Sequence, residues 1–426
     1  MHAPAKPFVD LTCDVAAARE AQTRWAQTPI GKRLRFIRHL RHAIAENAGT
    51  LAAELATIGN RPMAEKLTSE ILPLADACQW LERQATRILA TRKFGRRFRP
   101  FWLQGATFEV QRTPFGVFLV IGPKNYPLFL PAVHTLHALV AGNAVLWKPA
   151  PGTRAIALQF AQLLRSTGID PALLLVLNDE VQAAHDAIGQ GVDKVIFTGS
   201  SRNGRDLLAA LARTNTPSVM ELSGNDAVIL LADADIDLVS RALEFGLRLN
   251  NGATCIAPRR LIVEEPLRAT IRLCLPPELQ AQLEIIGVSD REELVQLANA
   301  TAHGLGASIF SRDLKAARTI AAQLRTGLVT INDLIVPTAD PRLPFGGVKA
   351  SGFGITRGAE GLLETTYPHV VAVRRGKTRW HLDKPKTADA ELFTAFIRAA
   401  HGRGLRRARA MRDLLGTIWS RRKERP

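Results

Sequence analysis

Apolar residues recur at helical spacing through the first ninety positions, with Leu34, Ile37, Leu40 and Ile44 followed by Leu51, Leu55 and Ile58. Residues 15–89 are therefore expected to form a series of amphipathic helices that serve as scaffold. The pattern changes at residues 102–117, whose aromatic, β-branched and turn residues predict a short strand pair. Beyond it, short apolar runs alternate with amphipathic stretches. Strands are expected at 117–121, 144–148, 173–177 and 194–198, and helices at 131–141, 154–166, 181–190 and from near 204 to 214. Such alternation predicts an α/β fold with right-handed βαβ crossovers, a mainly parallel sheet and ligands at the carboxyl ends of its strands.

A chain of 426 residues exceeds one compact core, so two or three domains are expected, and a 46% hydrophobic content is ample to pack them. No apolar stretch is long enough to cross a bilayer, and the first ten residues lack the apolar core of a signal peptide, which points to a cytoplasmic protein. Four widely spaced cysteines, Cys13, Cys78, Cys255 and Cys274, fit a reducing compartment and no disulfide framework. The net charge of +17 is local. Residues 374–426 hold 16 Lys or Arg against 5 Asp or Glu, and residues 92–99 add five more cations, leaving the remainder near neutral. The main fold therefore need not bind nucleic acid, and nucleic acid is not expected as a partner.

The informative residues stand at the predicted strand ends. Asn125 follows the strand at 117–121 between Pro123 and Pro127, where a stiffened backbone would fix its amide either as an oxyanion donor or in an Asx-turn. Lys148 ends the next strand, as a solvated lysine or as a partner for a ribose hydroxyl or phosphate. The strand at 194–198 runs through Gly199 and Ser200 into a helix, a corner that suits a pyrophosphate but that also occurs for packing alone. Residues 220–260 hold Glu221 and Cys255 in two glycine-marked settings, the cysteine after the polar turn of Asn250, Asn251, Gly252 and Thr254. His134 and His137, three apart on a predicted helix, lack a third ligand and read as ordinary helix histidines, so no metal is expected.

These signals form one ordered set. The blocks GPKNYP, VLWKPAPGT, VIFTGSSRNGR, MELSGND, NNGATCIAPRR and PFGGVKASGFGITRGAEGLLETTYPHVV, spread over residues 114–373, resemble those of the aldehyde dehydrogenase superfamily, in its order. The wording PFGVFLVIGPKNYPLFLP is similar to the class 3, fatty-aldehyde-like branch. The resemblance implies an aldehyde dehydrogenase-like α/β fold: a Rossmann-type NAD(P)-binding domain (residues 1–105 and 115–222), a second α/β catalytic domain (223–350) and a small β oligomerisation element (106–114 and 365–376). It also implies a homodimer. Cys255 would attack the aldehyde carbon as thiolate, giving a hemithioacetal that can expel hydride to a nicotinamide. Asn125 and the backbone N–H of Cys255 would stabilise the oxyanion, and Glu221 would activate the water that hydrolyses the thioester. Ile121, Gly122, Lys148, Gly199 and Ser200 would contact NAD or NADP.

The chain also departs from the family pattern. Lys124 replaces the usual aromatic before Asn125, and Pro151 stands where many NAD-preferring members carry a glutamate on the adenosine ribose. Without that carboxylate a 2′-phosphate meets no repulsion, so a dual or NADP-leaning enzyme is expected. Pro344 lies only 89 positions after Cys255, and the Glu-x-Phe-Gly-Pro block that would hold the nicotinamide ribose is missing, Glu278 being a poor substitute. A shortened catalytic domain leaves two readings open: an active enzyme that oxidises an aldehyde to an acid, or a catalytically reduced homologue serving as a binding or scaffold protein. Residues 377–426 form a basic amphipathic tail, suited to an anionic membrane surface or to packing on its own domain.

Overall fold

The computed structural model describes residues 14–103, 105–376, 380–382, 384 and 387–423; Cys13 lies outside them. Contacts gather into two units, Met1–Lys93 with Glu109–Val371 and Phe94–Phe108 with Ala372–Pro426. Among the described residues the larger unit holds a six-stranded and a five-stranded sheet and a small two-stranded one, His303–Gly304 with Val348–Lys349.

The N-terminal scaffold is helical, and its apolar stripes are the buried faces. Leu34, Ile37, Leu40 and Ile44 line the inner side of the helix Ile30–Glu46, and Leu51 and Leu55 that of Ala48–Ala56, whereas Ile58 packs from the turn beyond it. These helices flank a six-stranded sheet. Its order from one edge is Gly352–Phe353, Ser218–Glu221, Lys194–Thr198, Val117–Ile121, Ala144–Lys148 and Leu174–Val176. All pairs are parallel except the short edge strand Gly352–Phe353. The two central strands are buried along their whole length, as strands covered on both faces must be. Trp147, Phe118 and Phe160 are the largest side chains in this core.

The strand pair expected at 102–117 is arranged differently. Residues Phe101–Leu103 form a 3-10 turn, and Ala106–Pro114 is the middle strand of a three-stranded sheet between Arg92–Phe94 and Thr366–Arg374. Val117–Ile121 turns away from it because its five side chains are all apolar and complete the buried sheet. Gly116, at φ +136°, makes the turn, and its N–H donates to Asn143 Oδ1.

The second sheet has five parallel strands in the order Glu284–Val288, Pro258–Glu264, Asp226–Leu230, Gly306–Phe310 and Leu328–Ile331. One apolar layer beneath it gathers Leu243, Leu247, Ile271 and Phe310, and the other Ile229, Ile262, Ile309 and Ile320. The short connection after Cys255 therefore still completes a sheet covered on both faces. In the smaller unit the helices Thr387–His401 and Gly404–Lys423 follow one another, with Leu392, Ala395, Ala399 and Ala410 buried.

Candidate active site

Cys255 is partly buried and follows a loop in which Asn250, Asn251 and Gly252 take positive φ of 53°, 51° and 71°. Three consecutive left-handed residues need Asn or Gly, which is why this loop reads NNG. Hydrogen bonds tie it to the first sheet. Asn250 Nδ2 donates to the Asn125 carbonyl at 2.7 Å, Asn125 Nδ2 donates to the Ala253 carbonyl at 2.8 Å, and Tyr126 Oη shares a 2.7 Å bond with Thr254 Oγ1. Asn125 thus faces the cysteine loop from the end of Val117–Ile121, with one amide hydrogen used by that loop and the other left for a ligand.

Glu221 closes the strand Ser218–Glu221 and is 4% exposed. Its Oε2 accepts from Thr198 Oγ1 at 2.9 Å, and its Oε1 accepts from Thr356 Oγ1. His134 Nε2 lies 3.9 Å from Oε2 without a hydrogen-bond partner of its own. The helix histidine therefore faces the candidate base, and burial keeps its imidazole neutral by lowering its pKa, opposed by Glu221 and reinforced by Arg357. Gly224 brings the Glu221 and Cys255 segments together: a Cβ there would stand 2.5 Å from the Cys255 carbonyl oxygen.

Burial pushes the Cys255 thiol up to about 12; Glu221 and Asp226 add to the rise, and Arg357 opposes it. At neutral pH the free enzyme therefore holds a thiol that must lose its proton before it can attack.

All eight residues singled out by sequence line one groove of about 640 Å³: Ile121, Gly122, Asn125, Lys148, Gly199, Ser200, Glu221 and Cys255. Its outer part fits a dinucleotide. The helix Ser201–Ala212 begins at the groove, which Ser200 and Asn203 line, and Ser200 Oγ accepts from Asn203 N–H at 3.3 Å. The helix thus starts three residues before the expected Gly204, because Ser200 caps it. Lys148 supplies a cation whose pKa burial lowers, opposed by Asp179. Pro151 lines the same groove, whereas Glu278 does not.

A second cavity of about 810 Å³ shares Thr254, Cys255 and Phe345 with the groove. Its walls are largely apolar, formed by Tyr126, Phe129, Leu130, Ile256, Ile335 and Phe345 among others. Sequence reading missed Thr198 and Thr356, the hydroxyls that hold Glu221, and Arg357, which lines this cavity. Only Thr198 carried a signal, its place at a strand end; Thr356 and Arg357 come from a segment 135 residues away.

The profile of the aldehyde dehydrogenase family matches residues 4–274 and 283–371. The chain belongs to the aldehyde dehydrogenase family. Among curated relatives it is 29% identical to 4,4′-diapolycopene aldehyde oxidase from Methylomonas sp, over 86% of this chain and 82% of that one. It is 27% identical to succinate-semialdehyde dehydrogenase [NADP(+)] from Deinococcus radiodurans, over 86% and 91%. Among solved structures, NAD-dependent aldehyde dehydrogenase from Sinorhizobium meliloti superposes with a TM-score of 0.79 at 25% identity, covering 87% of this chain and 88% of that one. The Mycobacterium tuberculosis aldehyde dehydrogenase complexed with NAD+ gives 0.78 at 24%, covering 86% and 90%. This member is an NAD(P)-dependent oxidoreductase acting on aldehydes.

Proposed function

We propose that the enzyme oxidises a long, mainly apolar aldehyde to its carboxylic acid, with Cys255 as nucleophile, Asn125 as oxyanion donor and Glu221 as base. The carrying observation is that Cys255 stands where the apolar cavity meets the groove shared by Asn125 and Glu221. An aldehyde carbon entering from the cavity would reach Sγ, with its oxygen near the Asn125 amide and the Cys255 N–H. A bound NAD(P) would supply the hydride acceptor. Glu221, held by two threonine hydroxyls, would then take a proton from the hydrolytic water. The shortened catalytic domain retains its five-stranded sheet, which favours this reading over a scaffold role.

The substrate class rests on the walls of the cavity, on the likeness to the fatty-aldehyde branch and on the polyene aldehyde in the Methylomonas relative's name. Reduction of NAD and NADP should be followed with an aliphatic aldehyde series from short to long and with succinate semialdehyde. Rising kcat/KM with chain length, use of both cofactors and loss of turnover in Cys255→Ala support the proposal. Preference for succinate semialdehyde would refute the substrate class, and strict discrimination for NAD would refute the reading of Pro151.

The tail is read as a peripheral contact with anionic membrane on a cytoplasmic enzyme. Phe393 and Ile397 on one helix and Leu405, Met411 and Leu415 on the next are exposed, beside exposed Arg403, Arg406, Arg407, Arg409 and Arg412. Apolar side chains beside so many cations match acidic headgroups and oppose pairing with a second copy of the same face. No helix among the described residues is long and apolar enough to cross a membrane. Co-sedimentation with phosphatidylserine vesicles should fall when residues 389–426 are removed; equal binding by both forms rules the tail out.

A further inference from the structure

Arg357 is 6% exposed, yet among the described residues it pairs with no carboxylate. Its Nη1 donates to the Thr338 carbonyl, its Nε has no partner, and its guanidinium lies 4.4 Å from the ring centre of Phe345 and 5.9 Å from that of Phe129. A guanidinium buried on such neutral partners is costly to keep. The backbone adds to the cost, because φ 58° and ψ 173° are a combination that residues other than glycine seldom adopt. Strain and a buried charge that no carboxylate contacts directly, Glu221 acting on it only through space, fall on one residue in the wall of the cavity that holds Cys255 and indicate a use.

We propose that Arg357 is a positioning residue for the thiol: its fixed positive charge favours the Cys255 thiolate over the thiol in the free enzyme. Ionisation breaks the Sγ–H bond, leaves the electron pair on sulfur and sends the proton to solvent water. Acting on Cys255 are Glu221 from the first sheet and, once it ionises above about pH 8, Asp226 from the second, both raising the thiol, against Arg357. Tyr126 lies near the thiol as well, and its hydroxyl is held protonated, pushed up to about 12 mainly by burial. His134 and His137, on the helix beneath, are kept neutral mainly by burial, with Arg357 reinforcing it. Arg241 and Arg248 also line the cavity, but among the described residues Arg357 is the cation that opposes the rise of the thiol, and a nearby cation lowers a thiol pKa.

This inference rests on Cys255 being the nucleophile, and its test is kept separate from turnover. The rate of Cys255 alkylation by iodoacetamide, located by peptide mass spectrometry, is measured in the full-length enzyme without cofactor from pH 6 to 9, below the thiol's own range, where the rate follows the thiolate fraction; a change of midpoint is read as the displacement of the rate–pH line from that of wild type. Arg357→Gln should raise the midpoint by at least one pH unit, equivalent to tenfold less thiolate at neutral pH. Arg357→Lys should fall between it and wild type, and Glu221→Gln should move the midpoint down. An unchanged midpoint in folded Arg357→Gln overturns the proposal. So does an unchanged midpoint joined to a raised KM for acidic aldehydes alone, which would assign Arg357 to substrate recognition. Where Arg357→Gln does not fold, the double variant with Glu221→Gln removes the charge and its counter-charge together, and its midpoint is compared with that of Glu221→Gln alone. A rise of a unit supports the proposal, and no rise overturns it. Failure of every neutral variant to fold makes the residue structural and also overturns it. Turnover by Cys255→Ala would instead refute the nucleophile assignment, a result read independently of these midpoints.

Discussion

At the scale of single residues, Asn125 and Asp226 show how one neighbourhood divides chemistry from stability. Asn125 Nδ2 donates to the Ala253 carbonyl and the Asn125 carbonyl accepts from Asn250 Nδ2, so both its side chain and its backbone are tied to the cysteine loop in the wall of the groove. Losing one preorganised donor costs about 3 kcal/mol of transition-state stabilisation. Asn125→Ala should therefore lower kcat by roughly a hundredfold or more with a much smaller change in KM. Steady-state kinetics with the best aldehyde checks this, and a loss confined to KM would count against the role. Asp226 is buried beside the same loop, and its carboxyl is pushed up to about 8 by desolvation, against the Gly306 N–H, Arg260 and Arg259. Between the ordinary carboxyl range and about pH 8 the folded chain holds a proton that the unfolded chain has lost, so stability falls as pH rises through that window. The slope approaches ~1.4 kcal/mol per pH unit while the group titrates. Asp226→Asn should flatten this decline in thermal midpoints measured from pH 4 to 8, and an unaltered slope would show that another group sets it.

At the scale of elements, legibility followed burial. Strands buried on both faces, such as Ala144–Lys148 and Lys194–Thr198, were readable to the residue because their side chains answer only to the core. The segment before Gly116 was misread because strand propensity says nothing about which sheet a strand joins. Candidates were legible where a motif marked them, Asn125 and Glu221 at strand ends and Cys255 after the polar turn that precedes Pro258–Glu264. Thr356, Arg357 and His134 were not, since their places depend on chain segments that approach only after folding. Glu70 is a further example. Fully buried in the turn Leu67–Ile71, it pairs with Arg61, and its Oε2 accepts from the N–H groups of Leu128 and Phe129 at 2.9 and 3.1 Å. It thus anchors the start of the helix Phe129–Ala141, four residues beyond Asn125, while Arg61 lies over the Tyr126 ring at 5.7 Å. Glu70→Ala would leave a buried guanidinium and two N–H groups unsatisfied, at a cost of about 3–5 kcal/mol. A large drop in thermal midpoint, with activity lost in parallel, is expected; a shift within 1 °C would show that water replaces the carboxylate.

At the scale of the whole molecule, the strand Thr366–Arg374 lies at one edge of its three-stranded sheet, and no strand pairs with its outer side among the described residues. Tyr367, Val370 and Val373 on it are 39%, 62% and 48% exposed. A sheet edge with uncovered apolar side chains is a template for another strand, and unprotected edges are usually avoided in a lone chain. A second copy of this chain is the occupant we propose, which would make the enzyme a homodimer. The two valines project from a strand outside both cavities, so charging them should disturb association and leave the pocket walls in place. Val370→Asp with Val373→Asp should convert a dimer to a monomer in sedimentation velocity at micromolar concentration, whereas Val181→Asp, at an exposed helix position elsewhere, should not. A wild-type chain that sediments as a monomer would remove the dimer. A dimer untouched by the paired change would place its interface on some other surface.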